Sequence, residues 1–461
     1  MPSRQSKGRK SEIRRVAFQD TKDRTKDPDA IPTETGAAEG AFFPLGSTDP
    51  SVIDNSQGLT FEAFEEMAMR NNPAILQAAA SASQASGFRE QVGLKPNPTV
   101  GYFGDEIGDN GAGGLHGLFL SQTFVSGEKL ALNRHVLEHD VRAALSQVDV
   151  QRRRVRTEIR NLFVAALANQ QRIELARQFK AVAEKGVRAA ESRFEAGEGT
   201  RADILQSEIQ VSEVEVLVRQ AEFALQGAWN ELTAVAGVPE MPFTGLLGSL
   251  DMAFANRDLE TEYSRIVSES PIVAAANERV YRAQANLERQ RSQSVPNINT
   301  QLGAGHDSAT GDQFANVQFS LAIPVHNENQ GNIDAAHAEY CRATQDARRV
   351  KLQIRQALAQ KVRQFKSAEA AVEQFETTVI PKADEALALV QKAQEIGEVN
   401  FFRVLTARKT FFDVQLRYIN AKTELAQADA AIDGLLLTDG LANPVTYDVS
   451  DDLRGQSLSV Q

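Results

Sequence analysis

The chain lacks several features that would assign it to a common functional class. Its single cysteine, Cys341, excludes a disulfide within the chain. Its net charge of −11 argues against nucleic acid as a partner, because binding phosphates requires a basic face. No apolar run reaches the roughly 18 residues that a membrane-spanning helix needs. Nucleophile motifs, phosphate-binding loops and dinucleotide fingerprints are also missing, so we expect no enzyme, no catalytic residue and no cofactor.

Proline is missing between Gly127 and Gly197, where a helical pattern continues without interruption. At 1.5 Å per residue this stretch would form a helix about 100 Å long, which no compact domain needs. In the second half Pro381 stands where the first half has Ala181. We therefore expect a kink or interruption in the second long helix. A seven-residue apolar repeat marks the first one, at Val141, Val148, Val155 and Leu162.

The chain repeats itself at a spacing of 200 residues, which predicts two copies of one elongated module. Short motifs recur at that spacing: Pro96-Asn97 as Pro296-Asn297, Phe119 as Phe319, and Gly197-Glu198 as Gly397-Glu398. The helices that follow the glycine pairs share a heptad seam. Its a positions are Ile204, Val211, Val218, Leu225 and Leu232, then Val404, Phe411, Tyr418, Leu425 and Ile432. Its d positions are Ser207, Val214, Ala221, Ala228 and Val235, then Ala407, Val414, Ala421, Ala428 and Leu435.

Small residues at d favour close packing in a left-handed coiled coil. We interpret the seam as core, with charged residues such as Glu213 and Lys422 outside it. The repeat predicts a disordered leader at 1–58, a first repeat at 59–245, a linker at 246–258, a second repeat at 259–440 and a disordered tail at 441–461. The leader shows no apolar segment typical of a secretory signal.

Each half has the same predicted order: a short helix, a helix before the Pro-Asn motif, two strands, a very long helix, a glycine turn and a returning helix. In the strands, apolar and polar residues alternate over roughly 8 to 11 residues. A soluble sheet with one buried face would show the same alternation. The clearest case is Val317, Phe319, Leu321 and Ile323 against Gln318 and Ser320.

Topology favours strands that cross a membrane. Four strands cannot close a barrel, and an open hairpin in lipid leaves backbone groups without partners. Two identical chains would supply eight strands and three would supply twelve, and only the wider barrel leaves a channel. A conducting duct therefore favours three chains.

Several short motifs stand at fixed places in the two halves. Those in the first half are Arg70-Asn71-Asn72-Pro73, Leu94-Lys95-Pro96-Asn97-Pro98, Ser121-Gln122 and Gly127-Glu128-Lys129. Those in the second half are Ile323-Pro324-Val325, Asn329-Gln330-Gly331-Asn332-Ile333 and Glu395-Ile396-Gly397-Glu398-Val399. Over about residues 59–440 the chain thereby resembles the TolC-like outer-membrane efflux family. It is most similar to the branch that exports cobalt, zinc, cadmium or copper.

The resemblance implies a mainly α-helical protein with a small β part, built from long antiparallel coiled-coil helices and four strands per chain. Three chains would form a homotrimer with a twelve-stranded barrel in the outer membrane and an α-helical tunnel through the periplasm. The partners implied are a periplasmic adaptor, an inner-membrane pump and outer-membrane lipid. The duct would conduct substrates passively. The lipid-anchoring cysteine of many members has no counterpart, since Cys341 lies in the second long helix.

The resemblance also implies a gate and an adaptor contact at the far helix tips. By position, the adaptor contacts would be Arg193, Phe194, Gly197, Thr200, Asp203, Leu205, Gly397, Asn400, Phe401 and Leu405. Repeated about a threefold axis, three acidic residues would form rings that attract cations: Glu198, Asp203 and Glu398. These three could equally be solvated turn residues.

His135 and His139 lie four residues apart and could share a metal on one helix face. No Glu-Xaa-Xaa-His or cysteine companion stands near them, so we assign no metal site and expect a solvated helix face. The alternative to a transport duct is a soluble coiled-coil scaffold or adaptor-like protein. Behaviour on detergent extraction would separate the two.

Overall fold

The computed structural model describes residues 58–108, 113–251, 254–399 and 401–444, without the side chain of residue 401. The first half runs through α1 (Phe61–Asn71), α2 (Pro73–Gln91), β1 (Thr99–Asp105), β2 (Leu115–Phe124), α3 (Lys129–Glu195) and α4 (Arg201–Val235). The second runs through α5 (Leu259–Glu269), α6 (Pro271–Ser292), β3 (Ile298–Asp307), β4 (Gln313–Leu321), α7 (Gln330–Gln374), a π-helical turn (Phe375–Val379), α8 (Ile380–Glu395) and α9 (Phe401–Asp433). The predicted order of elements is confirmed in both halves. Most of the predicted leader and tail lies outside the described residues.

The long helix α3 organises the helical part. Its 67 residues correspond to about 100 Å of helix. It packs against α2, α4, α6 and α9, so helices of both halves share one partner. None of the described helices combines the length and the apolar character needed to cross a membrane.

The predicted seam is confirmed along α4. All five d positions of α4 are buried, from Ser207 to Val235. In α9 the seam is buried or half-buried throughout, and Lys422, although outside the seam, is buried as well. Lys422 is only 9% exposed, because its ammonium donates to Asp251 Oδ1 at 2.7 Å and lies 4.3 Å from the ring centre of Tyr418. A carboxylate outside the helix therefore neutralises a buried charge that stands beside the seam.

The interruption expected at Pro381 is confirmed. Proline has no N–H to donate to the carbonyl of Thr377, four residues earlier, so α-helical bonding cannot continue there. The chain instead forms the π-helical turn Phe375–Val379 and resumes as α8 at Ile380. Neither the π turn nor α8 has a buried residue, whereas α7 buries Leu358, Phe365 and others.

The strands form one antiparallel sheet in the order β1-β2-β3-β4. The central pair joins the two halves, with Leu120 opposite Leu302. The expected equivalence of Phe119 and Phe319 is wrong. Phe119 pairs with Gly101, whereas Phe319 pairs with Thr300 on the opposite face of the sheet.

The connections between the strands explain this difference. Residues 106–114 join β1 to β2, but only residues 308–312 join β3 to β4. The register therefore matches Phe119 with Gln318, not Phe319. An offset of one residue reverses the face of a strand side chain.

The exposed sheet and the helix tips as candidate functional sites

One face of the sheet is apolar and exposed. Val100 on β1 is 72% exposed and Phe319 on β4 is 70% exposed, so the face has no covering within the described chain. An exposed apolar surface that crosses every strand marks a site of contact with lipid or another protein. Its exposed members are Val100, Tyr102, Leu118, Leu120, Phe124, Ile298, Leu302, Val317, Phe319 and Leu321.

The opposite face is polar near the helices and aromatic farther out. One cross-strand row consists of Thr99, Ser121, Gln301 and Gln318. A more distant row consists of Phe103, Gly117, Gly305 and Phe314. The two rings of that row lie 5.9 Å apart, edge to face, over the space that the glycines leave free. A side chain at Gly117 would meet Phe103, with 2.5 Å from Cβ to Cζ.

The outer strands β1 and β4 each have one edge without a partner strand among the described residues. Unpaired strand edges present free N–H and C=O groups that pair readily with another chain. Together with the exposed apolar face, these edges suit a sheet that closes with copies of itself in an apolar medium.

The family motifs meet where the sheet joins the helices. Gln122 donates from Nε2 to the carbonyl of Pro96 at 2.9 Å. Lys129 donates from Nζ to the carbonyl of Val295 at 2.6 Å and to Asn297 Oδ1 at 3.1 Å. Motifs that are far apart in the sequence thus fix the angle between β2 and α3. Sequence reasoning found the motifs but not these contacts.

Lys129 is buried at this junction, with 6% of its surface exposed. Burial, and next the positive charge of Arg289, lower the pKa of Lys129. Arg289 in turn donates from Nε to Asn133 Oδ1 at 2.7 Å. These polar contacts tie α3 to α6 next to the sheet.

The first helix tip is a glycine turn between α3 and α4. Gly197 has a φ of +76°, which L side chains rarely adopt. The amide of Glu198 donates to the carbonyl of Arg193 at 2.9 Å and closes the end of α3. Thr200 then caps α4, and Asp203 completes a capping box by accepting from the amide of Thr200 at 2.9 Å.

The second tip repeats the same turn. Gly397 has a φ of +80°, and the amide of Glu398 donates to the carbonyl of Ala393 at 2.9 Å. Asn400 lies outside the described residues, so its predicted capping of α9 stays a prediction. The side chain of Phe401 likewise lies outside them.

The tips expose most of the residues predicted to contact an adaptor. Phe194 is 45% exposed and Leu205 is 46% exposed. Leu405 differs from this prediction, because its side chain is fully buried and cannot contact a partner. Its helix α9 packs against α3, α7 and α8, whereas α4 packs mainly against α3 and leaves Leu205 exposed. The other exposed members of the predicted set are Arg193, Gly197, Thr200, Asp203 and Gly397.

The three predicted acidic residues differ in their local roles. Glu198 and Glu398 are exposed and use their backbone amides to close helix ends. Asp203 accepts hydrogen bonds from the backbone and hydroxyl of Thr200, and these lower the pKa of Asp203. It is therefore ionised at neutral pH and at the same time part of the capping box. Whether the three form rings depends on assembly, so that stays a prediction.

Among the described side chains, no three His, Cys, Asp or Glu converge in a way that could hold a metal ion. His135 and His139 do lie side by side, with ring centres 5.0 Å apart. The solvated helix face expected for His139 is wrong. It is buried at the contact of α3 with α6, and its Nδ1 lies 2.7 Å from Glu278 Oε2.

Comparison with known proteins places this geometry in context. The model of the family described as "Outer membrane efflux protein" matches residues 66–238 and 263–436, one match to each repeat. Among solved structures, the outer membrane protein VceC of Vibrio cholerae aligns with a TM-score of 0.67 at 17% identity. That alignment covers 82% of this chain and 96% of VceC.

Two curated relatives are named for resistance to heavy metals. The cobalt-zinc-cadmium resistance protein CzcC of Cupriavidus metallidurans is 24% identical, over 88% of this chain and 94% of CzcC. The nickel-cobalt-cadmium resistance protein NccC of Alcaligenes xylosoxydans xylosoxydans is 23% identical, over 62% of this chain and 65% of NccC.

Proposed function

We infer how the sheet and the tips work from the fact that this chain belongs to the outer membrane efflux protein family. As a member, it is the outer-membrane channel component of an efflux system. Three copies would join edge to edge, β1 of one beside β4 of the next, into a twelve-stranded barrel. The observation that carries this proposal is the sheet itself, with an exposed apolar face and two edges that pair with no other described strand.

The barrel would present Val100, Phe319 and the other exposed apolar residues to lipid. The row containing Ser121 and Gln301 would then face a wet lumen. Pairing of β1 with β4 would satisfy the backbone groups that the single chain leaves open. The helices would extend the lumen as a tunnel in the periplasm, where the tips would meet an adaptor and an energised pump.

We propose divalent heavy-metal cations as the exported substrate. Support comes from the names of CzcC and NccC, which refer to heavy-metal resistance, and from the acidic residues at both tips. Carboxylates at a narrow tip would attract cations and release them readily, because several weak sites favour flow over tight binding. The protein itself would not transform the ions.

Two measurements test the proposal. The purified protein should form a trimer in detergent and give step-like currents in a planar lipid bilayer. A soluble, monomeric and non-conducting particle would contradict the channel assembly and favour the scaffold alternative. Deletion of the gene should raise sensitivity to cobalt, zinc or cadmium more than to organic drugs. The reverse order would contradict the metal substrate while leaving the channel intact.

A further inference from the structure

We propose that His135 and His139 form a binding site for a divalent first-row transition metal on the surface between α3 and α6. The site is a feature of the folded chain and does not depend on the proposed channel function. The two histidines lie one turn apart on α3, so both rings project from the same side of the helix. Their ring centres are 5.0 Å apart with planes inclined at 66°.

This spacing suits a shared ion. A metal bound about 2.0–2.1 Å from one nitrogen of each imidazole places the two ring centres roughly 5 to 6 Å apart. His135 is exposed, so an ion can approach its ring from solvent. Imidazole nitrogen is a preferred ligand of Zn²⁺, Cu²⁺ and Ni²⁺. Water would complete the coordination of the ion.

Glu278 on α6 prepares His139 for this role. Its Oε2 lies 2.7 Å from His139 Nδ1. Because a carboxylate only accepts, the neutral ring is protonated at Nδ1, and this N–H donates a hydrogen bond to Glu278. The lone pair of Nε2 is then available for a metal. A carboxylate that orients a histidine in this way recurs in metal sites and raises the basicity of the ligand. It also places a negative charge near the cation.

The neighbouring contacts hold this arrangement in place. Val136 and Ala285 are buried against each other and fix α3 against α6. On the next turn Arg282 donates from Nε to Asp140 Oδ1 at 2.9 Å. The aromatic ring of Tyr281 lies 5.7 Å from the ring of His139. Both histidines therefore lie on a packed pair of helices, which suits a site better than a loop does.

The test is Zn²⁺ binding to the full-length protein, purified in detergent without a polyhistidine tag and stripped with a chelator. Calorimetric titration in excess Mg²⁺, which occupies surface carboxylates, should show one Zn²⁺ per chain. His135→Ala removes an exposed ligand without disturbing the core and should weaken binding roughly tenfold or more. Glu278→Gln should weaken it roughly 10- to 100-fold. With Cu²⁺, the electron paramagnetic resonance spectrum should show nitrogen coupling that His135→Ala reduces.

His337→Ala is the matched control, because His337 is an exposed histidine on another long helix, α7. It should bind Zn²⁺ as the wild type does. The proposal is overturned if the wild type does not bind Zn²⁺ above the Mg²⁺ background, or if His135→Ala binds it unchanged. Neither result bears on conduction, so failure of this site and failure of the channel are distinguishable.

Discussion

At the scale of single residues, Arg257 fixes the segment that sequence analysis treats as a linker. Its side chain is only 10% exposed, and its guanidinium donates to Asp429 Oδ1 at 2.6 Å, to Glu262 Oε1 at 2.9 Å and to Asp433 Oδ1 at 2.6 Å. One cation thus ties the chain before α5 to α5 and to α9. Without it, Asp429 and Asp433 would keep only Arg160, at 3.7 Å and 3.4 Å, and Glu262 would keep Arg265.

Arg257→Met should lower the free energy of unfolding by about 1–3 kcal/mol, because the buried carboxylates of Asp429 and Glu262 each lose one of two arginine partners. Urea unfolding in detergent, followed by the fluorescence of the single tryptophan Trp229, measures the change. Arg152→Met is the control. Its ion pair with Asp149 is exposed on both sides and should contribute about 0–1 kcal/mol. Equal effects of the two substitutions would show that the Arg257 network does not stabilise the fold.

Asp203 gives the first tip a dependence on pH. Hydrogen bonds from Thr200 lower its pKa in the folded state, so the ionised form is the one that the turn stabilises. This stabilisation is complete above the unfolded pKa of about 3.9 and is lost as pH falls through the lower folded value. Amide exchange of Thr200 should therefore accelerate below about pH 4 beyond the intrinsic trend. Asp203→Asn should remove this extra pH dependence of amide exchange. The same pH profile in the variant and the wild type would contradict the role of Asp203.

At the scale of elements, local patterns predict the helices and strands but not the partners that act across them. The proline-free stretch predicts α3, and glycine pairs predict both tips, because these signals lie within a few residues of the structure they form. The burial of Lys422 depends on Asp251, more than 100 residues away. The same holds for Glu278, which takes His139 from an expected solvated face to a buried contact.

The two tip glycines should be essential for export. Both have a positive φ, whereas proline is fixed near −65° and cannot form the turn. Gly197→Pro or Gly397→Pro should abolish export in a metal-resistance assay while the trimer still forms. Gly227→Ala, within α4 and with open space around it, should leave export intact and stabilise the helix. Normal export in either proline variant would contradict the assignment of the tips.

The two faces of β4 should respond differently to charge. Phe319→Arg places a cation on the apolar face and should cost about 2–4 kcal/mol if that face meets lipid. Gln318→Arg is the neighbouring change on the opposite face and should be tolerated. Recovery of heat-resistant trimer from the membrane fraction measures both. Equal recovery of the two variants would place neither face against lipid.

At the scale of the whole molecule, the two repeats build one sheet and one helical layer. The β2–β3 pair joins the repeats within the sheet, and α3 joins them within the helices. The 200-residue repeat predicts this duplication, yet it misplaces Phe319 because one hairpin connection is shorter. A sequence repeat therefore predicts the order of elements, whereas faces and registers also depend on the length of each connection.

The acidic tips should make the assembled channel selective for cations. A variant with Glu198→Gln, Asp203→Asn and Glu398→Gln removes three charges per chain, and asparagine can still accept the hydrogen bonds of the capping box. In bilayers under a salt gradient, its reversal potential should move toward zero, because fewer fixed charges concentrate cations at the tip. Glu231→Gln removes a charge on α4 about 40 Å from Asp203 and should leave selectivity unchanged. If the triple variant keeps the wild-type reversal potential, these carboxylates are solvated turn residues, and selectivity arises elsewhere in the lumen.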